Sequence, residues 1–440
     1  MDYVLVAAGV AIFVVLVLTA VNIRHTRRAE LAAERARTQM IERGALPPSL
    51  HPIVDLEACI GSGSCVEACP ETDVLALIEG KAHLVNPTSC IGHGECRTAC
   101  PVDAITLVIG TERRGIDIPM LQGDYQTNVP GLYIVGELGG MGLIYNAMTQ
   151  ALQCISSLRK TLPPPVGGAH QLVVVGAGPA GLAASVAAQE AGLDFVTLDQ
   201  ESLGGTVLHY PRRKLVMTRA VKLPGYGKIR VSTLEKEQLL EIWQDIVEVT
   251  GLQIQTGTTV TAVKKGVDEI FDIETSRGPL RAQRLILALG RRGTPRKLDV
   301  PGEELPKVVY RLQEPEAYAE RSCAVIGGGD SAVEAAVSLG RAGATVHLVH
   351  RRKIFDRIKP ANQGRLDEAV AAGQVEVLYE ATVDHITPEH LVLNVGGQAM
   401  TLPNQDVFVL IGGVLPTAFL KAAGVEVEMY KGQAFAPANA

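Results

Sequence analysis

Residues 171–181 read QLVVVGAGPAG, and this stretch decides the fold. An apolar run, Leu172–Val175, ends in Gly176-x-Gly178-x-x-Gly181, and the small-residue stretch LAASVAAQEAG follows. A second apolar run, FVTL, ends at Asp199. Strand, glycine turn, helix, strand and an acidic residue about 20 positions on make the full context of a dinucleotide-binding βαβ unit. The glycines let the backbone approach a pyrophosphate, and the helix N-terminus meets its charge. Gly176, Gly178, Pro179, Ala180 and Gly181 are therefore expected at the phosphates. The Asp199 carboxylate suits a free ribose hydroxyl.

Toward the C-terminus, residues 323–332 read CAVIGGGDSA, followed by VEAAVSLGRAG and TVHLVH. The glycine pattern recurs as Gly327-x-Gly329-x-x-Ala332, and Gly327, Gly329, Asp330, Ser331 and Ala332 are expected around a second dinucleotide. This second strand ends in His350-Arg351-Arg352, with Arg357 shortly after, rather than in an acid. A basic cluster there favours a ribose 2′-phosphate over a bare hydroxyl; the plain alternative is a solvated basic loop. One loop acidic and the other basic at the ribose implies FAD first and NADPH second, with NADH as the other candidate.

Toward the N-terminus, residues 59–70 read CIGSGSCVEACP and residues 90–101 read CIGHGECRTACP. Both runs follow one spacing: Cys, five residues, Cys, three residues, Cys, Pro. Soft thiolates in this pattern suit iron–sulfur clusters. Zinc, the competing reading, prefers tight Cys-x2–4-Cys pairs, and neither run contains Cys-x-x-Cys. The spacing resembles the bacterial ferredoxin run with its second cysteine replaced, by Ser62 in the first copy and His93 in the second. VDAITL after the second copy resembles the strand that closes a ferredoxin half. In two-cluster ferredoxins the last cysteine of each run serves the other cluster. The resemblance thus implies one centre on Cys59, Cys65 and Cys100 with Ser62 at its fourth corner. The other would use Cys90, Cys96 and Cys69, with His93 at its corner. Whether Ser62 or His93 ligates, and whether the centres are 4Fe-4S or 3Fe-4S, stays open at this point.

The first residues suggest an anchor. Tyr3–Ile23 carries no charge and is long enough to span a bilayer, and Arg24, His25, Arg27 and Arg28 follow at once. The positive flank places the C-terminal side in the cytoplasm. We therefore expect a single-pass protein of the cytoplasmic membrane with its soluble domains facing the cytoplasm, where clusters are assembled. Arg24–Arg43 reads as a helical stalk that stops at Gly44 and Pro47–Pro48. The net charge of −6, with no long basic run beyond that flank, argues against a nucleic-acid partner. Of eight cysteines, six lie in residues 59–100; Cys154 and Cys323 stand alone in apolar contexts.

VVVGAGPAG, LGGTVLHYPRRKLV, LILALGRRGTPRKLDVPGE, VIGGGDSAVEAA and TNVPGLYIVGELGG together resemble the thioredoxin-reductase-like flavoproteins, and within them the bacillithiol-disulfide-reductase-like branch, over residues 113–440. Two departures stand out. In that family the T-x-V-P-G-L-Y-x-x-G-[DE] segment comes last and closes the FAD site. Here it stands at Thr127–Glu137, ahead of the glycine loop, while the chain ends soon after DVFVLIGGVLP, Asp406–Pro416. The resemblance therefore implies a circularly permuted flavoprotein. Gly136 and Glu137 would lie on the ribityl–pyrophosphate part of FAD, with a helix opening near Leu143 aimed at the flavin. The second departure is chemical: the family's disulfide reductases carry a redox-active cysteine pair, and no such pair exists here. The family also includes ferredoxin–NADP reductases without the pair.

The expected fold is α/β: two Rossmann-like dinucleotide-binding domains, for FAD and NADP, preceded by a small α+β ferredoxin-like domain and one transmembrane helix. The boundaries read as an anchor at 1–23, a stalk at 24–50, a dicluster ferredoxin-like domain at 51–110 and a permuted FAD-domain closing segment at 111–163. The FAD domain follows at 164–294, the NAD(P) domain at 295–413, and a segment returning to the FAD domain at 414–440. The expected activity is that of an FAD-dependent NAD(P)H oxidoreductase, moving electrons between NADPH, FAD and two iron–sulfur clusters. Its redox partner, a protein or a quinone, is unnamed by the sequence, and a homodimer is left open. The alternatives are a low-molecular-weight disulfide reductase and a non-turnover redox sensor.

Overall fold

The chain divides into two compact units, residues 1–108 and 109–440. This computed structural model describes residues 2–47, 50–71, 73–112, 115–139, 143–210, 212, 214–217, 220–230, 233–291 and 294–434. Gly140 of the closing segment, Pro211 and Arg213 of LGGTVLHYPRRKLV, Arg292 and Gly293 of LILALGRRGTPRKLDVPGE, and Arg113 at the start of the flavoprotein match lie outside these residues.

The N-terminal unit begins with one continuous helix, Asp2–Glu42. It corrects the expected anchor: among the described residues no helix is long and apolar enough to cross a membrane. The expected span Tyr3–Ile23 falls in part on side chains that lie outside the described ones, those of Tyr3–Ala7, Val10 and Ala11. The same helix then runs on without a break through the charged stretch from Arg24. The single-pass membrane location falls with the span. The expected stop is present: Gly44 adopts φ 62°, Gly44 N donates to Ile41 O and Ala45 N to Met40 O, both at 2.9 Å. This is a Schellman ending, which satisfies the last carbonyls of the helix. The distal half of the helix packs on the strand Leu75–Ile78, with Met40 buried.

The rest of this unit has the two-fold pattern of the sequence repeat. Leu50–Val54 and Ile105–Ile109 neighbour each other in one sheet. Leu75–Ile78 and Lys81–Leu84 form an antiparallel hairpin. Each cysteine run leads into a single helical turn, Ser64–Glu67 or Glu95–Thr98. The expected closing strand after the second run is Ile105–Ile109.

The second unit contains two open sheets. In the first, Ile254–Gln255, Phe195–Leu198, His170–Val175 and Leu280–Leu287 lie side by side in parallel. Phe271–Thr275 and Val260–Lys265 extend it antiparallel. These central strands are buried on both faces, as their near-continuous apolar runs require. The helix Pro179–Glu190 packs on one side, with Leu182, Ala183, Ala184 and Ala188 fully buried. The short strand Leu132–Ile134, from the segment preceding the glycine loop, pairs in parallel with Leu285–Leu287. The second sheet has the order Val308–Val309, Asp406–Leu410, Ser322–Gly327, Thr345–Val349, Val375–Leu378, all parallel. A three-stranded antiparallel sheet, Ala381–Ile386, His390–Val395 and Gln398–Pro403, follows in sequence. The second unit thus holds two open sheets with parallel central strands, each carrying one of the glycine loops. Near the C-terminus Val427–Tyr430 pairs antiparallel with Ile116–Pro119.

Candidate functional site

The first glycine loop is built by close approach. Gly176 has φ 107°, and a β-carbon there would lie 2.5 Å from the Ala288 carbonyl oxygen. A β-carbon on Gly181 would lie 1.7 Å from Gly176 O, so no side chain fits. Gly178 differs. It N-caps the helix Pro179–Glu190, and an added β-carbon would meet only Gly205 Cα, at 3.8 Å. Protein packing does not demand this glycine. What it leaves open is the face before a helix N-terminus, the cradle a pyrophosphate requires. Asp199 is buried and grips this loop: Oδ2 accepts Ala177 N at 2.6 Å and Oδ1 accepts Glu201 N at 2.8 Å. An ionised carboxylate has about four lone-pair sites, so Asp199 retains capacity for a ribose hydroxyl while it holds the turn. Sequence reasoning left out Gly204 and Gly205. Gly204 N donates to Ala177 O at 3.1 Å, and a β-carbon on Gly205 would lie 3.0 Å from Gly178 Cα. The Gly-Gly pair inside LGGTVLHYPRRKLV was the available signal.

The Thr127–Glu137 segment reaches the same loop. After Leu132–Ile134 joins the sheet, Gly136 adopts φ 85° and its missing β-carbon would sit 3.0 Å from Ala180 Cβ. Gln150, on the helix Ile144–Leu158, accepts Gly136 N at 2.9 Å through Oε1. Glu137 opens the turn Glu137–Gly139. Arg291, another residue absent from the sequence expectations, faces it. Burial draws the Arg291 guanidinium below its ordinary pKa, and the nearby Glu137 and Asp117 carboxylates oppose that shift. Thus Gly136 stands against the Gly176–Gly181 loop.

In the second loop a β-carbon on Gly327 would lie 2.6 Å from Leu410 O. Gly328, not singled out by the sequence pattern, lies against the His350 ring; a β-carbon there would be 2.3 Å from Nδ1. This corrects the reading of His350 as a phosphate reader. His350 is buried, with Nδ1 3.3 Å from Gly327 O and Nε2 2.9 Å from Ile354 O. It stacks on Phe355 at 4.3 Å. The apolar pocket behind the loop wins this ring, and both nitrogens are occupied by backbone. Asp330 also has a structural duty: Oδ1 accepts Lys359 N at 2.8 Å and Asn362 Nδ2 at 2.7 Å, tying the loop to the helix Pro360–Ala371. Arg351 is exposed. Arg352 pairs with Asp356, and Arg357 Nε lies 3.8 Å from the same carboxylate. Burial lowers the Arg357 pKa; Asp356 opposes, and Arg352 and Arg351 add to the lowering, so these cations share one locality.

Ion pairs link the elements around the first glycine loop to those around the second. Lys214 Nζ meets Glu334 Oε2 at 3.0 Å. Arg311 reaches Glu201 at 3.1 Å and donates to His209 Nδ1 at 3.0 Å, while His209 Nε2 contacts the same Glu201.

The six clustered cysteines fall into two cavities of the N-terminal unit. One is lined by Cys59, Cys65, Cys100 and Ser62. The other is lined by Cys69, Cys90, Cys96 and His93, with Glu71 and Glu95 also in its wall. The exchange of the last cysteine between runs, implied by the ferredoxin resemblance, is therefore the arrangement of the side chains. The thiols line these cavities and do not meet at a point: among the described residues no three His, Cys, Asp or Glu groups gather as around a single ion. Three thiols spread around each wall fit a multi-iron cluster rather than a single ion. Left-handed glycines shape both loops. Gly61, Gly63, Gly92 and Gly94 have φ of 72°, 75°, 78° and 87°. A β-carbon on Gly61 would lie 2.1 Å from Gly80 O. Burial pushes the Cys90 thiol up to about 11 and Cys96 up to about 12, and raises Cys65 and Cys69. Bare thiolates are disfavoured in such sites, so the charge of bound iron must stabilise them, and loading must release protons. Amides of Ala82 and Ala104 point at Cys59 Sγ (3.5 Å) and Cys100 Sγ (3.3 Å).

The remaining thiols are closed off. Cys154 and Cys323 are fully buried. Burial raises both, Cys323 to about 12.

Comparison with known proteins agrees with this geometry. The profile of the pyridine nucleotide-disulphide oxidoreductase family matches residues 173–438, and that of the 4Fe-4S dicluster domain matches residues 51–101. Bacilliredoxin reductase Bdr of Bacillus subtilis is 28% identical over 272 residues, covering 60% of this chain and 84% of the relative. A ferredoxin–NADP reductase of Ignicoccus hospitalis is 28% identical over 261 residues, covering 58% and 81%. The solved structure of bacillithiol disulfide reductase Bdr (YpdA) from Staphylococcus aureus aligns with a TM-score of 0.53 at 26% identity, covering 58% of this chain and 80% of that one.

Proposed function

The chain belongs to the pyridine nucleotide-disulphide oxidoreductase family and carries a 4Fe-4S dicluster domain, and on that premise we propose that it exchanges electrons between NADPH and a redox partner protein through FAD and two iron–sulfur centres. It is a flavin-dependent NAD(P)H oxidoreductase with FAD, NADP and iron–sulfur cofactors. When bound, these groups supply hydride transfer at the nicotinamide and flavin and single-electron steps at the clusters. The protein supplies binding, orientation and charge. Gly176, Gly178 and Gly181 would cradle the FAD pyrophosphate, Asp199 fixes that loop, and Gly136 and Glu137 would close the site from the segment that precedes it. Arg351, Arg352 and Arg357 receive the NADP 2′-phosphate, with His350 shaping the loop from behind. Cys59, Cys65 and Cys100 hold one centre, and Cys69, Cys90 and Cys96 the other. Ser62 would be the fourth-corner ligand of the first centre and His93 that of the second. The segment order, with Leu132–Ile134 feeding the FAD sheet ahead of the glycine loop and Val427–Tyr430 returning to Ile116–Pro119, supports a circularly permuted flavoprotein.

The observation that carries this reading is the distribution of thiols. Six of the eight cysteines line the two cluster cavities, and the other two are fully buried. A disulfide reductase working through its own thiols needs an accessible one, whereas electron transfer through clusters does not. The ferredoxin–NADP reductases among the relatives support a ferredoxin-type partner. The second reading, reduction of a low-molecular-weight disulfide, draws on the Bdr relatives. Steady-state NADPH oxidation decides between them. A one-electron acceptor or a ferredoxin should sustain turnover, and bacillithiol disulfide should not. Turnover with the disulfide alone would replace the first reading by the second.

A further inference from the structure

The two cysteine runs align residue for residue, Cys59-Ile60-Gly61-Ser62-Gly63-Ser64-Cys65 beside Cys90-Ile91-Gly92-His93-Gly94-Glu95-Cys96. Between the framework cysteines and glycines two positions differ: the corner residue, Ser62 or His93, and the residue two places on, Ser64 or Glu95. The glycine between them bends the chain alike in both runs, Gly63 at φ 75°, ψ −9° and Gly94 at φ 87°, ψ −14°. The second position therefore stands in the same relation to the first in each copy. In the first run the Ser64 hydroxyl donates to Ser62 Oγ at 3.2 Å. In the second run His93 and Glu95 line one cavity with Cys69, Cys90 and Cys96.

The two pairs are chemically matched. A serine oxygen bound to iron carries negative charge, and a hydroxyl donor stabilises that charge. An imidazole bound to iron uses one nitrogen and must place the N–H of the other on an acceptor, which fixes the ring and raises its basicity; a carboxylate is the usual acceptor. Exchanged, the helpers would fail. A carboxylate beside a serine oxygen would repel it, and Glu95 is absent from the wall of the first cavity, which holds no carboxylate.

We propose that Ser64 and Glu95 are positioning residues for the fourth corners of the two clusters, Ser64 acting through Ser62 and Glu95 through His93. The inference rests on Ser62 and His93 being those ligands. Outer partners of this kind set iron affinity and potential. Losing the donor onto Ser62 lowers the potential of the first centre. Losing the acceptor for His93 makes the imidazole a weaker donor and raises the potential of the second.

The test uses the full chain, purified anaerobically, with EPR-monitored redox titration and a chelator titration of cluster iron. Ser62→Ala and His93→Ala identify which signal belongs to which centre. Ser64→Ala should lower the midpoint of the Ser62 signal and loosen its labile iron by about 10–100-fold, and Ser64→Thr should restore both. Glu95→Gln should raise the midpoint of the His93 signal, with the same loss of iron affinity. In a His93→Ala background Glu95→Gln should then add nothing. An equal Glu95→Gln shift in that background would mean that Glu95 acts only as a nearby charge, and would overturn the proposal. So would Ser64→Ala and Glu95→Gln variants with wild-type signals while the corner variants move theirs. If the corner variants themselves leave both signals and potentials unchanged, the ligand reading fails, and the helper roles fail with it.

Discussion

Val135 donates its amide to the Leu287 carbonyl, 3.2 Å away, and so fastens the segment that precedes the glycine loop to the strand that completes the same sheet. The parallel pairs Leu132–Ile134 with Leu285–Leu287 lead straight into this bond, and the next residue, Gly136, turns against Ala180 on the first turn of the loop helix. Two stretches far apart in order thus meet at one glycine loop. Gly136→Ala tests that meeting. The φ of 85° alone costs an L-residue roughly 1–2 kcal/mol, and the contact at 3.0 Å adds crowding. The expected outcome is a lower melting temperature and a reduced flavin-to-protein ratio after gel filtration. Full flavin retention and unchanged melting would separate this segment from the FAD site.

Gly181→Ala is the severer version. A β-carbon 1.7 Å from Gly176 O cannot be relieved by moving a side chain, since the obstacle is backbone. Purified Gly181→Ala should contain no FAD, or should fail to accumulate as folded protein. An FAD-replete variant of wild-type stability would contradict the loop geometry.

Nucleotide choice separates Arg351 and Arg352 from their neighbour. The double Ala variant should raise the KM for NADPH by at least about tenfold, since each charge-assisted bond lost costs about 1.5–3 kcal/mol, with little effect on NADH. His350→Gln should behave differently. Its ring packs behind the loop against Gly328 and Phe355, so the variant should lose stability without changing the NADPH/NADH preference. A preference shifted by His350→Gln and untouched by the double variant would reverse this assignment.

This last contrast shows what the sequence could and could not reveal. The glycine spacings specify two βαβ units because Gly176, Gly181 and Gly327 each answer a backbone clash that only the absence of a side chain avoids, while Gly178 leaves the face before the helix N-terminus open. The cysteine repeat was legible for the same kind of reason: the spacing is a ligand geometry. His350 was misread because sequence position places it at the strand end but not which way its ring turns; a gap beside Gly328, visible only in three dimensions, takes it inward. Gly204, Gly205 and Arg291 come from loops whose approach to the site depends on tertiary packing. The N-terminal run was read as a membrane span from its lack of charge, yet among the described residues no helix is long and apolar enough to cross a membrane.

Stability should depend on pH through the Glu201–His209–Arg311 contact. Burial, and then Arg311, hold His209 below its ordinary value of 6.5, against the opposing pull of Glu201. Such a ring favours its neutral form, so its contribution is present above pH 6.5 and is lost as pH falls through the lower folded value. Burial pushes the Glu201 carboxyl up, but Arg311 and His209 outweigh this and hold it below 4.5. Its contribution is likewise lost on further acidification. The melting temperature should fall as the pH is lowered from about 6.5, and the fall should be shallower in Arg311→Met, which removes the shared partner. Parallel pH profiles for the two proteins would show that this contact carries no linkage.

The central claim is that electrons pass between NADPH and the iron–sulfur centres of the same chain. Anaerobic titration of the fully loaded protein with NADPH, followed by flavin absorbance and low-temperature EPR, tests it most directly. The account predicts flavin bleaching accompanied by reduced-cluster signals within turnover time. It also predicts that Cys65→Ser and Cys96→Ser each remove one centre's signal while flavin bleaching persists. Complete reduction of the flavin with both clusters left oxidised, in protein whose clusters dithionite can reduce, would contradict the account.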